Sequence, residues 1–332
     1  MIARPWRLAH PRTAFIAMAI FLAVFPPLLT LIGGDVTLAS RIVILALFGL
    51  GVDLIFGFTG LLSFGQAAFF GTGGFVAGYL LLHSVPNTLA ALAVGTLAAA
   101  LCGAVIGALS LRQVGVYFAM LTLAFGELFY FLDNSPLRGV TGGEGGLTDI
   151  PRPSLWLGFT TIDCASTTAT YTFIAVTYFL AYLLMRRIIA SPFGRILRAI
   201  LENPERAAAS GHATLRYKLI AFTIAAAYAG LAGGLFGSFQ GSLSPDVFSL
   251  DISGEIIVVT VIGGAGTLIG PLVGSFVWVY LQHALQTVGP IAGIWKLLLG
   301  VIFVLLITGF RRGIVGGFTA LLRSRRKRAA QA

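Results

Sequence analysis

Charged side chains are scarce in this chain. Only 10% of its 332 residues are Asp, Glu, Lys or Arg, against about 25% in ordinary soluble domains. So few charges cannot cover a water-exposed surface, whereas hydrophobic residues make up 57% of the chain and its mean hydropathy is +0.94. Because the apolar runs reach about 18 residues or more and do not alternate with polar residues, α-helices are favoured over a β-barrel. The composition therefore predicts an all-α polytopic membrane protein.

Residue patterns that carry enzyme chemistry are also missing. Cysteine occurs twice, at Cys102 in an apolar run and at Cys164 in a polar loop, which argues against an intrachain disulfide and against a metal site. The three lysines fit no GxxxxGK[ST] phosphate loop, and GTGG at 71–74 has the wrong spacing for a dinucleotide fingerprint. No Ser/His/Asp set or carboxylate pair is spaced for catalysis. We therefore expect no enzyme, no cofactor and no metal, and any ATPase that drives this protein must be another chain.

Ten apolar runs predict the helices, with boundaries good to a few residues. They are 14–32, 38–56, 62–82, 88–110, 113–133, 170–189, 219–240, 252–263, 268–288 and 294–310. The run at 252–263 is shorter than the about 20 residues of a normal span and predicts a half-helix or a re-entrant segment. The first run is longer than the apolar part of a signal peptide, so we interpret it as a retained span. The expected bundle has eight to ten transmembrane helices.

The positive charge is concentrated beside these runs. Of the 22 Lys and Arg residues, three lie in 1–12, seven in 186–218 and seven in 311–332. This distribution predicts that both termini and the 186–218 loop face the cytoplasm. The basic tail at 311–332 is expected to contact anionic lipid and not nucleic acid. Arg41 and Lys296 fall near predicted outer ends and run against this scheme.

Glycine recurs within the predicted spans at GxxxG spacing, as in Gly103/Gly107 and Gly230/Gly234. Glycines one turn apart let the backbones of neighbouring helices approach closely. We therefore expect these residues to pack helices tightly, in preference to a gating role.

The stretch at 191–211 is polar and basic between two long apolar runs. Ser191 and Pro192 favour a helix start, and Asn203 and Pro204 repeat the same signal. An apolar stripe at helical spacing separates them, and Gly211 is placed to end the second helix. The stripe consists of Phe193, Ile196, Leu197 and Ile200. We call residues 191–211 the two-helix insert, and we expect it to project from the cytoplasmic face and to fit a groove on a partner.

The residues of the insert carry a resemblance. ERAAASG (205–211) resembles the EAA-type coupling loop of ABC importer permeases, although Arg206 stands where the general pattern has Ala. SPFGRILRAILENPERAAASG with the following RYK, GLLSFGQAAFFGTGGF, TGGEGGLTDIP and IGGAGTLIGPLVG together resemble the branched-chain amino acid permease family, in its LivM-type branch. The second string departs from the family at Gly73-Gly74-Phe75, where Gly-Ala-Tyr is usual. The matches cover about residues 50 to 310.

The resemblance implies a single permease domain over 1–332 in a prokaryotic inner membrane, with no ATPase site of its own. Its partners would be a second permease of the LivH type, two cytoplasmic ABC ATPases and a periplasmic or lipid-anchored binding protein. The two-helix insert would supply the ATPase-coupling helices. The implied coupling residues are Arg198, Glu202, Asn203, Pro204, Glu205, Ala207, Ala208 and Gly211. The substrate would be a small amino acid of the branched-chain class. A urea or amide permease of the same superfamily, or a stand-alone secondary transporter or channel, remains an alternative.

Polar residues inside apolar runs mark a candidate path, because they cost free energy in a membrane. Ser63 and Gln66 lie at the Gly-rich start of a run, and neutral polar groups there suit an ammonium or a carboxylate in passage. Glu127 and Glu255 are acids within or beside runs, and Phe69 is a candidate apolar gate. Structural hydrogen bonds between helices explain the polar residues equally well.

Overall fold

A computed structural model describes the greater part of the chain. It covers residues 11–83, 87–156, 161–163, 166–287, 294–309 and 313–317. Cys164 and most of the predicted basic tail lie outside the described residues, so the predictions made for them stay predictions.

The described residues are mostly helical, and the all-α architecture is confirmed. In chain order the helices are α1 (Pro11–Leu31), α2 (Val36–Thr59), α3 (Gln66–His83), α4 (Thr88–Ser110), α5 (Val116–Asn134), α6 (Arg138–Thr141), α7 (Thr167–Ala190), α8 (Pro192–Glu202), α9 (Pro204–Ala209), α10 (Thr214–Gln240), α11 (Leu250–Gly263), α12 (Gly270–Thr287) and α13 (Trp295–Gly309). Each of the ten predicted apolar runs corresponds to one of the longer helices. The loop between α5 and α7 adds a short antiparallel hairpin of β1 (Ser154–Trp156) and β2 (Thr161–Asp163).

Five of the described helices are long and apolar enough to cross a membrane by length and composition, namely α2, α4, α5, α7 and α10. At 14 residues, α11 spans about 21 Å at roughly 1.5 Å per residue, which is less than the about 30 Å of a bilayer core. The predicted half-helix therefore has the expected length. The count of eight to ten crossings stays a prediction.

Helix α2 is the centre of the bundle. Its most apolar window is 83% buried, against 33% for α4 and 28% for α5. It contacts α1, α7, α8, α10, α11 and α12. Leu97, Leu101 and Val105 repeat along one exposed face of α4. In a membrane such a face contacts lipid or another subunit, so α4 lies at the periphery.

Glycines allow α3, α4 and α10 to pack closely. A Cβ on Gly73 of α3 would overlap the backbone of Gly230 of α10, and a Cβ on Gly103 of α4 would overlap Ala226. Close backbone approach is what GxxxG spacing supplies in membrane helices. The predicted packing role of the glycines agrees with these contacts.

The two-helix insert lies at the C-terminal end of α2. The guanidinium of Arg198 lies 5.3 Å from the centre of the Phe58 ring, and a Cβ on Gly60 would be 3.0 Å from Leu201 Cδ1. Arg41, seventeen residues before Phe58, is therefore about 25 Å away along the helix axis. We call the two ends of the bundle the insert end and the far end.

Candidate functional site

Both helices of the two-helix insert have defined starts. Asn203 precedes α9, and its side-chain Oδ1 accepts a hydrogen bond of 2.9 Å from the Arg206 backbone N–H. Pro192 and Pro204 occupy the first turns, as predicted. Ser191 does not cap α8 with its side chain, although its position predicted a helix start. Its hydroxyl instead donates to the carbonyl of Ile188 at 2.6 Å and so stabilises the end of α7. The break predicted near residue 203 is where the two helices meet.

One face of the insert packs on the bundle. Leu197 and Ile200 of the predicted stripe are buried, and Phe193 and Ile196 are half-buried. Helix α8 contacts α2, α7 and α10, while α9 contacts α10. Ala207 is also buried, with 5% of its surface exposed. It therefore holds α9 against the bundle, and its coupling role stays a prediction.

The other face of the insert is exposed and built from small and charged side chains. Five of the predicted coupling residues point outwards: Glu202, Pro204, Glu205, Ala208 and Gly211. Arg198 and Asn203 are half-buried. Arg206, Ala209 and Ser210 share the exposed surface and were not among the predicted set. We call the exposed part of 202–211 the small-residue surface.

A second polar group of residues lies inside the bundle, where the chain between α2 and α3 is not helical. Residues 60–65 form a non-helical segment that begins with the left-handed Gly60, and Ser63 and Gln66 are buried. Hydroxyl groups from other helices satisfy this backbone. The Thr122 hydroxyl accepts from Phe64 N at 3.2 Å, and the Ser253 hydroxyl accepts from Ala67 N at 2.9 Å. Non-helical backbone at membrane depth occurs where it is enclosed by protein or lines a cavity, and transporters bind substrate at such broken helices.

The side chain of Gln66 is incompletely bonded. Its Nε2 donates to Ser63 Oγ at 3.3 Å, but its Oε1 has no hydrogen-bond partner among the described residues although Gln66 is fully buried. A buried polar atom without a partner costs free energy and marks a position where a ligand or water can bind. Thr122 and Ser253 complete this polar cluster. No sequence pattern singled them out, because single hydroxyl residues are common in membrane helices.

The other predicted path residues make contacts of their own outside this cluster's hydrogen bonds. Phe69 is buried, and its ring meets Phe222 edge-on at 5.5 Å. Glu255 is half-buried and accepts a hydrogen bond of 2.7 Å from Trp278 Nε1. Glu127 is exposed on α5, since it lies about 140° around the helix from the buried Thr122 at roughly 100° per residue. Within this chain Glu127 therefore does not face the cluster.

Asp53, near the insert end of α2, is buried. Only 1% of its surface is exposed, and its Oδ1 accepts a hydrogen bond of 2.6 Å from the Gly266 backbone N–H. A Cβ on Gly57 would overlap Gly266. The loop between α11 and α12 is thereby attached to α2 close to the two-helix insert.

A family of transport proteins matches most of this chain. The family described as "Branched-chain amino acid transport system / permease component" matches residues 36–307. This range runs from the start of α2 into α13, and it includes the two-helix insert, the non-helical segment 60–65 and Glu255.

Curated relatives are similar to the chain over most of their length. The high-affinity branched-chain amino acid transport system permease protein LivM of Salmonella typhimurium is 28% identical over 303 residues, 85% of this chain and 70% of the relative. The protein of the same name from Escherichia coli is 29% identical over 304 residues, again 85% and 70%. The permease protein LivH of Salmonella typhimurium is 27% identical over 248 residues, 70% of this chain and 78% of the relative. No solved structure matches the chain significantly.

Proposed function

The chain belongs to the branched-chain amino acid transport system permease family, and from this premise we propose that it is a permease subunit of an ABC importer for branched-chain amino acids. Its long apolar helices and buried central helix α2 suit a membrane-spanning subunit. The substrate follows from the family's description and from the names of the relatives.

The importer needs other subunits. The chain contains no phosphate-binding loop, so ATP hydrolysis takes place on two cytoplasmic ATPase subunits. Because the chain is similar to both LivM and LivH relatives, a second permease of the LivH type completes the membrane part. A periplasmic or lipid-anchored binding protein delivers the substrate at the far end in a prokaryotic inner membrane.

The observation that carries this proposal is the small-residue surface, exposed on an insert that is itself seated on α2. Small side chains allow a partner's surface to approach the α9 backbone closely. The Arg198–Phe58 contact and the close approach of Leu201 to Gly60 pass any displacement of the insert to the end of α2. ATP-driven closure of the ATPases then shifts the bundle between two arrangements.

Substrate crosses next to the non-helical segment 60–65. The unpartnered Oε1 of Gln66 offers an acceptor to an ammonium group, and the nearby hydroxyls of Ser63, Thr122 and Ser253 can exchange partners as the helices move. A broken helix supports this role because its freed backbone groups are polar and enclosed.

The test compares two identical substitutions on the same side of the membrane. Ala208 is exposed on the small-residue surface, and Ala213 is exposed just beyond it at the start of α10. We expect Ala208→Arg to abolish ATP-dependent leucine uptake by the complete importer in proteoliposomes, because the long side chain holds the ATPase away. Ala213→Arg adds the same charge and volume and should leave uptake close to that of the unmodified protein.

Membrane insertion and co-purification of the second permease are measured for both variants, and both should be normal. Equal uptake by the two variants would show that the insert is not the coupling surface. Uptake by the purified chain alone, without ATPase subunits, would instead identify a secondary transporter or channel. Uptake of urea or amides in place of leucine by the complete complex would change the substrate but not the coupling assignment.

A further inference from the structure

A cavity opens at the far end of the bundle. Its volume is about 250 Å³, just below the roughly 300 Å³ at which pockets for drug-sized ligands begin. Residues near the N-terminal end of α2, the end of α10 with its following turn and the first turns of α11 line it. The cavity therefore has the size for one small metabolite.

Charges of both signs face this cavity. Arg41 of α2 and Glu255 of α11 both belong to the lining. Asp246, in the turn after α10, adds a second carboxylate at the exposed rim. One cation and one or two anions around a small volume match a zwitterion, which carries a carboxylate and an ammonium on the same carbon.

The lining also contains the polar side chains of Gln240, Ser242 and Ser244, and it includes three aromatic rings. The ring of Phe70 stacks on Phe48 with 5.0 Å between centroids and lies 5.6 Å from Phe236. Phe48 and Phe70 are buried and Phe236 is half-buried, and we call these three rings the aromatic floor. An aliphatic side chain gains free energy by contact with such a floor, whereas a hydrophilic side chain loses hydrogen bonds to water.

The aromatic floor and the polar cluster are both reached by side chains of α3. Gln66 and Phe70 are four residues apart on α3, so they lie on the same face of the helix one turn from each other. The unpartnered Oε1 of Gln66 is therefore about one helical turn beyond the ring that lines the cavity. A molecule that passes the floor meets this acceptor next.

From these contacts we propose that the cavity is the outer receiving site of the permease for a zwitterionic amino acid with an aliphatic side chain. Arg41 binds the carboxylate, Glu255 binds the ammonium group, and Phe48, Phe70 and Phe236 hold the side chain and close the way to Gln66. This assignment rests on the proposed import function. It gives the permease its own recognition of the substrate, in addition to that of the binding protein.

Arg41 and Lys296 provide the matched comparison. Both are isolated cations expected near outer helix ends, yet only Arg41 lines the cavity, while Lys296 lies over the Trp295 ring at 5.7 Å. The experiment measures direct binding of radiolabelled leucine to the purified complete transporter without binding protein or ATP. We expect Arg41→Gln to weaken leucine binding at least about tenfold, as for the loss of a hydrogen bond to a charged group, and Lys296→Gln to leave it unchanged. Glu255→Gln should also weaken binding while it keeps an acceptor for Trp278.

Ligand analogues identify which group each residue binds. Isopentylamine lacks the carboxylate of leucine, and 4-methylpentanoate lacks the ammonium group. Arg41→Gln should leave the affinity for isopentylamine unchanged, and Glu255→Gln should leave that for 4-methylpentanoate unchanged, since a double-mutant cycle shows coupling only between groups in contact.

Two outcomes overturn the receiving site. One is leucine binding that Arg41→Gln and Lys296→Gln affect equally; the other is a transporter that imports leucine but binds none at this end without the binding protein. Proteoliposome uptake by the unmodified complex is measured in parallel. If that complex imports no branched-chain amino acid, the proposed function fails as well, so the two failures are distinguishable.

Discussion

The two ends of α2 are built from opposite kinds of surface. At the insert end, small and charged side chains are exposed on two short helices whose apolar face is seated on Phe58 and its neighbours. At the far end, Arg41 and Glu255 stand at a cavity with an aromatic floor. The first surface is exposed, whereas the second lines a cavity that contains charged side chains and aromatic rings.

This difference matches what each end is proposed to contact. A protein partner needs a surface with small side chains that it can approach closely, and it gains little from individual surface charges. A zwitterion of a few atoms needs opposite charges at a short separation and a place for its side chain. Because one helix joins the two surfaces, a displacement at the insert end reaches Phe48 in the aromatic floor through rigid backbone.

Truncation of the floor should have the largest effect. Phe70→Ala removes a buried ring and should cost about 3–5 kcal/mol of stability, and it opens the floor between the cavity and Gln66. We expect leucine to leak across proteoliposomes several-fold faster without ATP. Phe75→Ala is the control on the same helix, because the Phe75 ring stacks on Phe248 at 5.4 Å and does not line the cavity.

Both truncations should lower the melting temperature of the complex by similar amounts, but only Phe70→Ala should leak. If Phe70→Ala proves too unstable to purify, Phe70→Leu retains an apolar side chain and permits the same flux measurement. Equal leaks from the Phe70 and Phe75 variants would mean that the floor is not the barrier.

A charge on the small-residue surface should have the next largest effect. Gly211 has a φ of 85°, and a Cβ at this position meets nothing within 4 Å. Asn and Asp both tolerate this left-handed backbone and differ mainly in charge. Gly211→Asp should reduce ATP-dependent uptake more than about tenfold, since an unpaired charge at an interface costs several kcal/mol.

Gly211→Asn should keep most of the uptake, and leucine binding at the far end should be normal in both variants. A loss of uptake that is the same for Asn and Asp would point to backbone strain and not to contact with a partner.

The attachment of the α11–α12 loop to α2 can be tested at Asp53. Its carboxylate is the acceptor for the Gly266 N–H, so Asp53→Ala leaves a buried donor unpaired and should cost about 1–3 kcal/mol. Asp53→Asn keeps an acceptor oxygen and should stay within about 1 kcal/mol of the unmodified protein. Thermal unfolding of the purified complex measures both, and an equal loss for Asn and for Ala would show that the negative charge itself, and not the acceptor oxygen, is required.

The smallest effect is expected at the start of α9. Asn203→Ala removes the cap that accepts from Arg206 N, which costs about 1 kcal/mol. We therefore expect the Arg206 amide to exchange its hydrogen about fivefold faster and uptake to fall slightly. Asn203→Ser restores a capping oxygen and should restore protection, whereas unchanged exchange in Asn203→Ala would mean that packing of Ala207 alone holds α9.

Periodicity and capping residues predicted the helices well because both act locally. All ten apolar runs became helices, and the break between α8 and α9 lies at Asn203 where two capping signals meet. The candidate path was predicted only in part. Ser63 and Gln66 lie in one buried cluster, whereas Thr122 and Ser253 join it from α5 and α11, and no local pattern reports a contact between residues 186 positions apart.

The sequence by itself determined that the chain is a helical membrane protein with a basic two-helix insert, because hydropathy, charge and capping are properties of neighbouring residues. Tertiary structure decided which side of each helix is used. It placed Glu127 at the periphery, turned Ala207 inwards, and brought Arg41, Glu255 and Phe70 from three helices around one cavity. The physical reason is that helix rotation and contact between distant segments are set by packing of the whole bundle, in which the glycine faces of α3, α4 and α10 permit only a close fit.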